Sequence, residues 1–468
     1  MSFIKRLSLQ KLRKSSSSPS STKSSQQGQA QHVEQQAQQQ QAQQHQLPES
    51  DININGTNTD TMDVEIQIPE KQTVLLLHAA KTPYTLTEDY PVPQLEDEHD
   101  VLVRTQAIGL NPIDWKAPDF NFAIPVLPYI SGRECAGEVV KTKEGSRFRS
   151  GDRVLAISTD YRDLRKATYQ QYLISPTYNT VLLPPFLSAE EGSTLGVAFV
   201  AAALSLGVCM GVDFSSVLSG PDLFSLLRSP SFAQDSLASD IRSECLDGIR
   251  AHERAKEGDW VAVWGGSSTS ANLTIQLAKL AGLKVVTVVD KAKHGLRLSN
   301  HEVLKADLLV DSHDPERAVQ IIRQNLKGKL RFGVDTRGRE SATSLLHALS
   351  PSNIESVPLP AGEAPPSPPG TPKEETLLGA HLIGLTGLPK QQAPEGTMFH
   401  TVPIKLFHEV PEVGGALCQW LERLLADGLV KAPEIIDVED GLGSINKGLD
   451  RMRRGEISGG KLVVRVAE

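Results

Sequence analysis

Cysteine is scarce in this chain: Cys135, Cys209, Cys245 and Cys418 are the four in 468 residues, and no two form a CxxC pair. That spacing suggests neither a disulfide framework nor a structural zinc knuckle, and the chain reads as intracellular and reduced. An excess of basic residues is also missing. A net charge of -8 leaves no electrostatic footprint for a polyanion, so nucleic acid is not expected as a partner. No apolar run reaches the ~20 residues needed to cross a bilayer. The longest, residues 195–210, is interrupted by Gly196, Ser205 and Gly207 and reads as a buried helix. Aromatic residues are nearly absent from residues 1–70, which consist largely of Ser, Gln, Asn and Thr. Such a segment cannot bury enough apolar surface to offset its ordering entropy, so a disordered tail is expected. Acidic residues are missing before Glu34, while Phe3, Ile4, Leu7, Leu9 and Leu12 alternate with Lys5, Arg6, Lys11, Arg13 and Lys14. That pattern suits a mitochondrial presequence or a membrane-surface helix as well as a plain basic tail. The cytoplasm is the expected location, with the mitochondrion as the alternative.

What is present begins near Thr73. Residues 74–77, 101–105, 137–141 and 152–158 read as short strands between Pro, Gly and Asp turns, which argues for a compact β domain. Residues 188–208 turn helical, and residues 211–250 are weakly patterned, as an insertion carrying at most short helices. From Trp260 strands and helices alternate: strands at 260–264, 285–289, 307–311, 331–335 and 381–385, with a helix over 268–281. This is the rhythm of a parallel, doubly wound sheet. Residues 350–375 contain PLPAGEAPPSPPGTP, too rich in proline to hold a ladder, and are expected to form a surface loop. A helix up to about Ala426, a strand at 434–438, a helix at 445–453 and a last strand at 461–466 complete the chain. The fold class is α/β.

The strand at 260–264 runs into Gly265, Gly266, Ser267, Ser268, Thr269 and Ser270 and then a helix. A small-residue turn at a helix N-terminus offers free N–H groups and a positive dipole end to a pyrophosphate. The GxGxxG spelling is missing, because Ser267 and Ser270 stand at its second and third glycines, so an ordinary tight turn remains open. After the next strand, Val289 falls nearest the position where an acidic residue would hold the ribose of NAD. Asp290 and the basic cluster Lys291, Lys293, His294 and Arg297 follow. This favours NADPH over NADH, although solvated helix-start charges would read the same.

Five motifs in order carry a family resemblance: NPIDWK at 111–116, GRECAG at 132–137, SGDRV at 150–154, WGGSSTSANLTIQLAKLAG at 264–282 and GEISGGKLVVRV at 455–466. The chain from about Thr73 onward resembles the medium-chain dehydrogenase/reductases, and within them the quinone reductase and fungal trans-acting enoyl reductase branch. The resemblance implies a GroES-like domain over residues 71–205, a linker or insertion over 206–258, a Rossmann domain over 259–400, and a return to the first domain over 401–468. The zinc alcohol dehydrogenases carry a metal-binding His where this chain has Arg133, and a Cys where it has Leu110 and Asn111. Zinc needs about four ligands, so no metal is expected, and the spacing of the remaining His residues singles out no cluster.

Hydride transfer to an activated C=C bond or a quinone fits such a site, the cofactor carrying the chemistry. Lys116 is the leading polar group for catalysis, with a surface lysine as the alternative. By similarity Ile113, Asp114, Trp115 and Lys116 would contact the cofactor. Gly265, Gly266, Ser267, Thr269, Ser270, Ala271 and Asn272 would hold its phosphates, Lys291 and Lys293 its adenosine end, and Gly459 with Gly460 its nicotinamide side. Asp114 could equally cap a short helix. Ala201, Ala202, Leu204, Gly384, Leu385 and Thr386 would line the substrate pocket. Tyr169 and Tyr172 read as packing. Two other readings stay open: a catalytically silent nucleotide-binding sensor, and a reductase that partners a polyketide synthase. A homodimer is the family prior.

Overall fold

The computed structural model describes residues 67–353 and 377–466. They belong to one compact unit, Ile66–Glu468. The basic N-terminal segment and nearly all of the tail and of the Pro-rich loop lie outside the described residues.

The first layer is antiparallel. Strand β1 (Lys71–Leu77) has β2 (Thr85–Pro91) on one side. Almost every residue of β2 is exposed, so no apolar alternation marks it in the sequence. Strand β3 (Asp100–Gly109) follows, then helix α1 (Pro112–Phe120), β4 (Tyr129–Ile130), β5 (Glu134–Thr142), β6 (Arg153–Ile157), β7 (Tyr172–Pro176) and β8 (Thr180–Leu182). β4 flanks β1, giving the order β2-β1-β4. β3 is the longest of these strands and nearly all buried, because β5 and β7 both pair with it.

Helices α2 (Ala189–Gly192) and α3 (Gly196–Leu204) lead out of this domain. Only Val197 and Ala201 of α3 retain appreciable exposure, and the helix runs into a π-type turn over Ser205–Cys209. The insertion carries α4 (Leu223–Leu227) and α5 (Ser239–Asp247).

Strand β9 (Trp260–Trp264) then opens the parallel domain. It continues through α6 (Thr269–Leu280), β10 (Lys284–Val289), α7 (Lys291–Asn300), β11 (Leu308–Asp311), α8 (Pro315–Leu326), β12 (Leu330–Asp335) and α9 (Arg339–Ala348). A two-residue pair, β13 (Ser352–Asn353) with β14 (Leu377–Leu378), precedes β15 (Ala380–Gly384) and β16 (Thr397–His400). The order β11-β10-β9-β12-β15-β16 is parallel at every pairing, the doubly wound order whose switch point lies beside the first strand. β16 was not expected from the sequence, since only four residues of mixed character mark it.

The chain returns in two stages. Helices α10 (Lys405–Glu409) and α11 (Pro411–Ala426) pack into the same apolar cluster as α3 and α6. Strand β17 (Ile435–Asp440), helix α12 (Ile445–Arg453) and strand β18 (Lys461–Arg465) then rejoin the first domain. β18 pairs antiparallel with β3 and completes the seven-stranded sheet.

Trp420 of α11 is fully buried. Its ring lies 4.6 Å from that of Phe214 and 5.6 Å from that of Phe199, and its Nε1 donates to the Val217 carbonyl at 3.0 Å. One side chain thus joins α11, α3 and the inserted segment. Trp420→Ala is expected to cost about 3–5 kcal/mol, read as a fall in Tm of the purified chain; an unchanged Tm would mean that this junction adds little.

Candidate active site

The cleft between the two domains, about 540 Å³, is built mainly from four chain segments, with the ends of β11 and β12 adding to its wall. The first is the turn after β9. Gly265 has φ +86°, a conformation that glycine tolerates, and a Cβ on Gly266 would fall 2.1 Å from the Thr287 methyl carbon. These two positions let the turn press against β10. Ser268 then caps α6, its Oγ accepting from Ala271 N at 3.1 Å. The backbone N–H groups of Ser267, Thr269 and Ser270 make no hydrogen bond among the described residues. Donors of this kind at a helix N-terminus form an anion cradle.

The second segment follows β10. Val289, Asp290, Lys293 and His294 line the cleft. Asp290 caps α7 through Lys293 N at 3.0 Å, and its other oxygen lies 3.9 Å from Lys293 Nζ and 3.5 Å from His313 Nε2. Asp311 and Asp290 beside His313 hold that imidazole above its ordinary pKa.

The third is the start of α1. Asn111 and Asp114 form a capping box there, Asp114 Oδ2 accepting from Asn111 N at 2.8 Å. Trp115 and Lys116 face the cleft, with Lys116 Nζ 5.6 Å from the Trp115 ring centroid. That distance suits a cation–π contact.

The fourth is the tail: Gly459, Gly460 and Lys461 line the opposite wall. Lys461 is almost fully buried. Its ammonium is paired with the Glu134 carboxylate and reaches Asn111 Oδ1 at 3.1 Å.

The residues expected at the site divide accordingly. The structure brings Trp115, Lys116, Gly265, Ser267, Thr269, Lys293, Gly459 and Gly460 together around the cleft. Gly266 and Ser270 belong to the same turn, Gly266 beneath it and Ser270 in the first turn of α6. Ala271 is buried in the core, and the Asn272 side chain is turned along the helix to Gln276 at 2.6 Å. Lys291 points to solvent. Ile113 is half-buried and outside the cleft lining.

Three expectations are corrected. Asp114 is not a cofactor contact: its side chain is fully buried and serves the cap, and burial, opposed by Arg133, raises its carboxyl pKa to about 6. Ala202 and Leu204 do not line a pocket, because α3 packs against α6 and sinks both into the core, while Ala201 keeps partial exposure on the same helix. Gly384, Leu385 and Thr386 sit at the end of β15 and outside the cleft lining, Gly384 packing against Leu388 and the Gly387 carbonyl.

Several lining residues went unselected. Ser268, Ser312, Thr336 and Arg337 complete the wall on the side of the β9 turn, Ser268 Oγ donating to Thr336 Oγ1 at 2.9 Å. Ser458 meets His294 Nε2 at 3.0 Å. Position relative to strand ends could have found Ser312 and Thr336, since each follows a parallel strand at its C-terminal end. Arg133, in place of a metal-binding His, is buried; its guanidinium lies 3.8 Å from the Tyr161 ring centroid and Nη2 donates to the Tyr129 hydroxyl at 2.8 Å.

Residues 97–185 match the alcohol dehydrogenase GroES-like domain family. Trans-enoyl reductase caaB of Aspergillus niger is 27% identical over 405 residues, covering 85% of this chain and 98% of the relative. Trans-enoyl reductase cghC of Chaetomium globosum is 28% identical over 385 residues, 81% of this chain and 94% of the relative. Among solved structures, the putative NADPH:quinone reductase from Bacillus thuringiensis superposes with a TM-score of 0.61 at 15% identity, covering 85% of this chain and 99% of its own. An alcohol dehydrogenase superfamily protein from Novosphingobium aromaticivorans gives a TM-score of 0.60 at 19% identity, covering 85% and 100%.

The Lys461–Glu134 pair is buried on both sides. Lys461→Met would strand the carboxylate and is expected to cost about 3–5 kcal/mol. The double variant Lys461→Met/Glu134→Gln should recover part of that loss in a thermal melt; a double variant no more stable than the single one would show that the pair itself is not what holds the tail.

Proposed function

Because the chain belongs to the medium-chain dehydrogenase/reductase superfamily, on the side of the fungal trans-enoyl reductases, we propose that it is an NADPH-dependent reductase acting on an activated C=C bond of an enoyl substrate, or on a quinone, with no zinc in its cleft. The observation that carries this reading is the convergence on one cleft of an unpaired set of helix N-terminal donors and Lys116. Relatives named trans-enoyl reductases over nearly the whole folded chain favour the enoyl substrate.

The glycine cradle and the free donors of Ser267, Thr269 and Ser270 fit a pyrophosphate, since a side chain on Gly266 would fill the space the turn needs. NADPH, when bound, supplies the hydride. Lys293 and His313 offset the Asp290 carboxylate at the adenosine end, which makes a 2′-phosphate acceptable beside an acidic residue that would otherwise repel it. Lys116 has no carboxylate partner among the described residues, so its ammonium is free to orient a ribose or to donate to the oxygen that gains charge after hydride attack. Lys461, by contrast, is held by Glu134 and acts as a wall rather than a donor. Arg133 stands where the zinc enzymes of the family have a metal ligand, and a guanidinium offers no lone pair to a metal. A cytoplasmic location and a synthase partner belong to the same proposal; the names of the relatives support the second.

Titration of NADPH fluorescence with the full chain, NADH alongside, followed by a panel of enones, enoyl thioesters and quinones, tests the reading. Tight NADPH binding with turnover is expected. Binding without turnover on any of them would favour the silent sensor, and activity only on carrier-bound chains the synthase partner. Lys293→Ala should raise the KM for NADPH about tenfold, the loss of one exposed charge-assisted contact, and leave that for NADH unchanged. Lys116→Met should lower kcat about 10²-fold with little change in Tm; a variant as active as the parent would remove Lys116 from the mechanism.

A further inference from the structure

A second constellation shares no residue with the cleft. The π-type turn at the end of α3 ends on Cys209, α5 carries Glu244 and Cys245, and β16 ends on His400. One ligand atom each of Cys209, Glu244 and His400 lies within 4.8 Å of the other two. The Cys209 and His400 side chains are fully buried, and Glu244 keeps 15% of its side chain exposed. His400 Nδ1 lies 2.7 Å from Glu244 Oε1, and its other nitrogen, Nε2, lies 3.0 Å from His381 Nδ1. Beyond it, His381 Nε2 is buried with no partner, the ring stacked on Phe332 at 5.4 Å. Cys245 lies close enough to act electrostatically on the Cys209 thiol.

Thiol, imidazole and carboxylate at this spacing are the donor types of a Zn²⁺ site, and a ligating imidazole characteristically gives its other N–H to a partner that fixes the ring. His381 stands in that position: when its Nδ1 accepts from His400 Nε2–H, the lone pair of His400 Nδ1 and the Glu244 carboxylate face each other and need a cation or a proton between them. A π-type turn inside a buried helical run has its own significance, since such turns recur at functional sites, and here the turn carries Cys209 as its last residue. We propose that Cys209, Glu244 and His400 bind one Zn²⁺ ion, with His381 as the residue that positions His400, and that the ion clamps the inserted segment and the end of α3 to the last parallel strand. The fourth position is left to water from the Glu244 side or to Cys245.

The full-length chain, stripped with a chelator and dialysed against Zn²⁺, is analysed for metal by mass spectrometry and melted with and without the ion. About one Zn²⁺ per chain and a higher Tm in its presence are expected, with the bound equivalent lost in Cys209→Ser and in His400→Gln. His381→Leu should weaken Zn²⁺ binding about 10–100-fold. No zinc above the dialysis buffer, or zinc retained in both ligand variants, would overturn the site. Should those variants fail to fold, Co²⁺ added to the parent chain decides: a thiolate-to-metal charge-transfer band supports the site, and its absence overturns it. These readouts are metal content, spectrum and melting temperature, so they stand or fall apart from turnover in the cleft.

Discussion

One buried charge pair carries much of the architecture. Glu134 sits on β5 with no exposed surface, and its two oxygens are met by the Lys461 ammonium, by Asn111 Nδ2 at 2.8 Å and by Val197 N at 2.9 Å at the start of α3. A carboxylate at a helix N-terminus is favoured by the helix dipole. The remaining charge would be costly in the interior without Lys461, which arrives from the far end of the chain after the whole parallel domain has been traversed. Room for its stem comes from Gly109, where a Cβ would meet Lys461 Cε at 2.9 Å. The same pair fixes the site. It holds β18 against β3, bringing Gly459 and Gly460 to the cleft, and it holds Asn111, whose backbone N–H anchors the cap of the helix that presents Trp115 and Lys116.

The nucleotide turn illustrates which parts of a fingerprint physics requires. Glycine is needed at Gly265, for its positive φ, and at Gly266, for the close approach of Thr287. Beyond these two the turn needs small residues and free N–H groups: Ser267, Thr269 and Ser270 leave theirs unbonded among the described residues, while Ser268 adds a cap and a hydrogen bond to Thr336. The serines therefore alter the lettering without removing the anion cradle.

Much of the fold was legible because its signals are local. The parallel strands are continuous apolar runs, as burial on both faces demands, and the α/β alternation from Trp260 onward fixes the sheet type. β2 and β16 escaped because one is solvent-exposed and the other is four residues long. At the site, the segments that face the cleft were readable as segments, but the direction of individual side chains was not. Asp114 and Trp115 are neighbours in one short helix, and a single residue step turns one into the interior and the other to the cleft. Ala202 and Leu204 were assigned to a pocket from their place in the family pattern; an apolar helix buried on nearly every side gives no sign in sequence of which face would be open. The wall residues Ser312 and Thr336 come from strand ends far apart in the chain, and only the strand order joins them.

Arg133 bears on where the positive charge comes from in a cleft proposed to work without the metal of the zinc enzymes. A metal is held by lone pairs and lost when its ligands protonate, whereas a guanidinium keeps its charge at any accessible pH. Here it is fixed by stacking on Tyr161 and by its bond to the Tyr129 hydroxyl, and no carboxylate lies within ion-pair distance among the described residues. Its field still acts on Asp114 and opposes the burial that raises that carboxyl, yet burial wins and the pKa stands at about 6. The charge behind GRECAG is thus a fixed part of the protein interior, and on the α1 side the cation that faces the cleft is Lys116, one residue beyond the tryptophan it lies against. In the proposed reaction a side chain rather than a metal would meet the substrate oxygen, which suits a conjugated C=C bond, where charge develops on an oxygen remote from the carbon that receives the hydride.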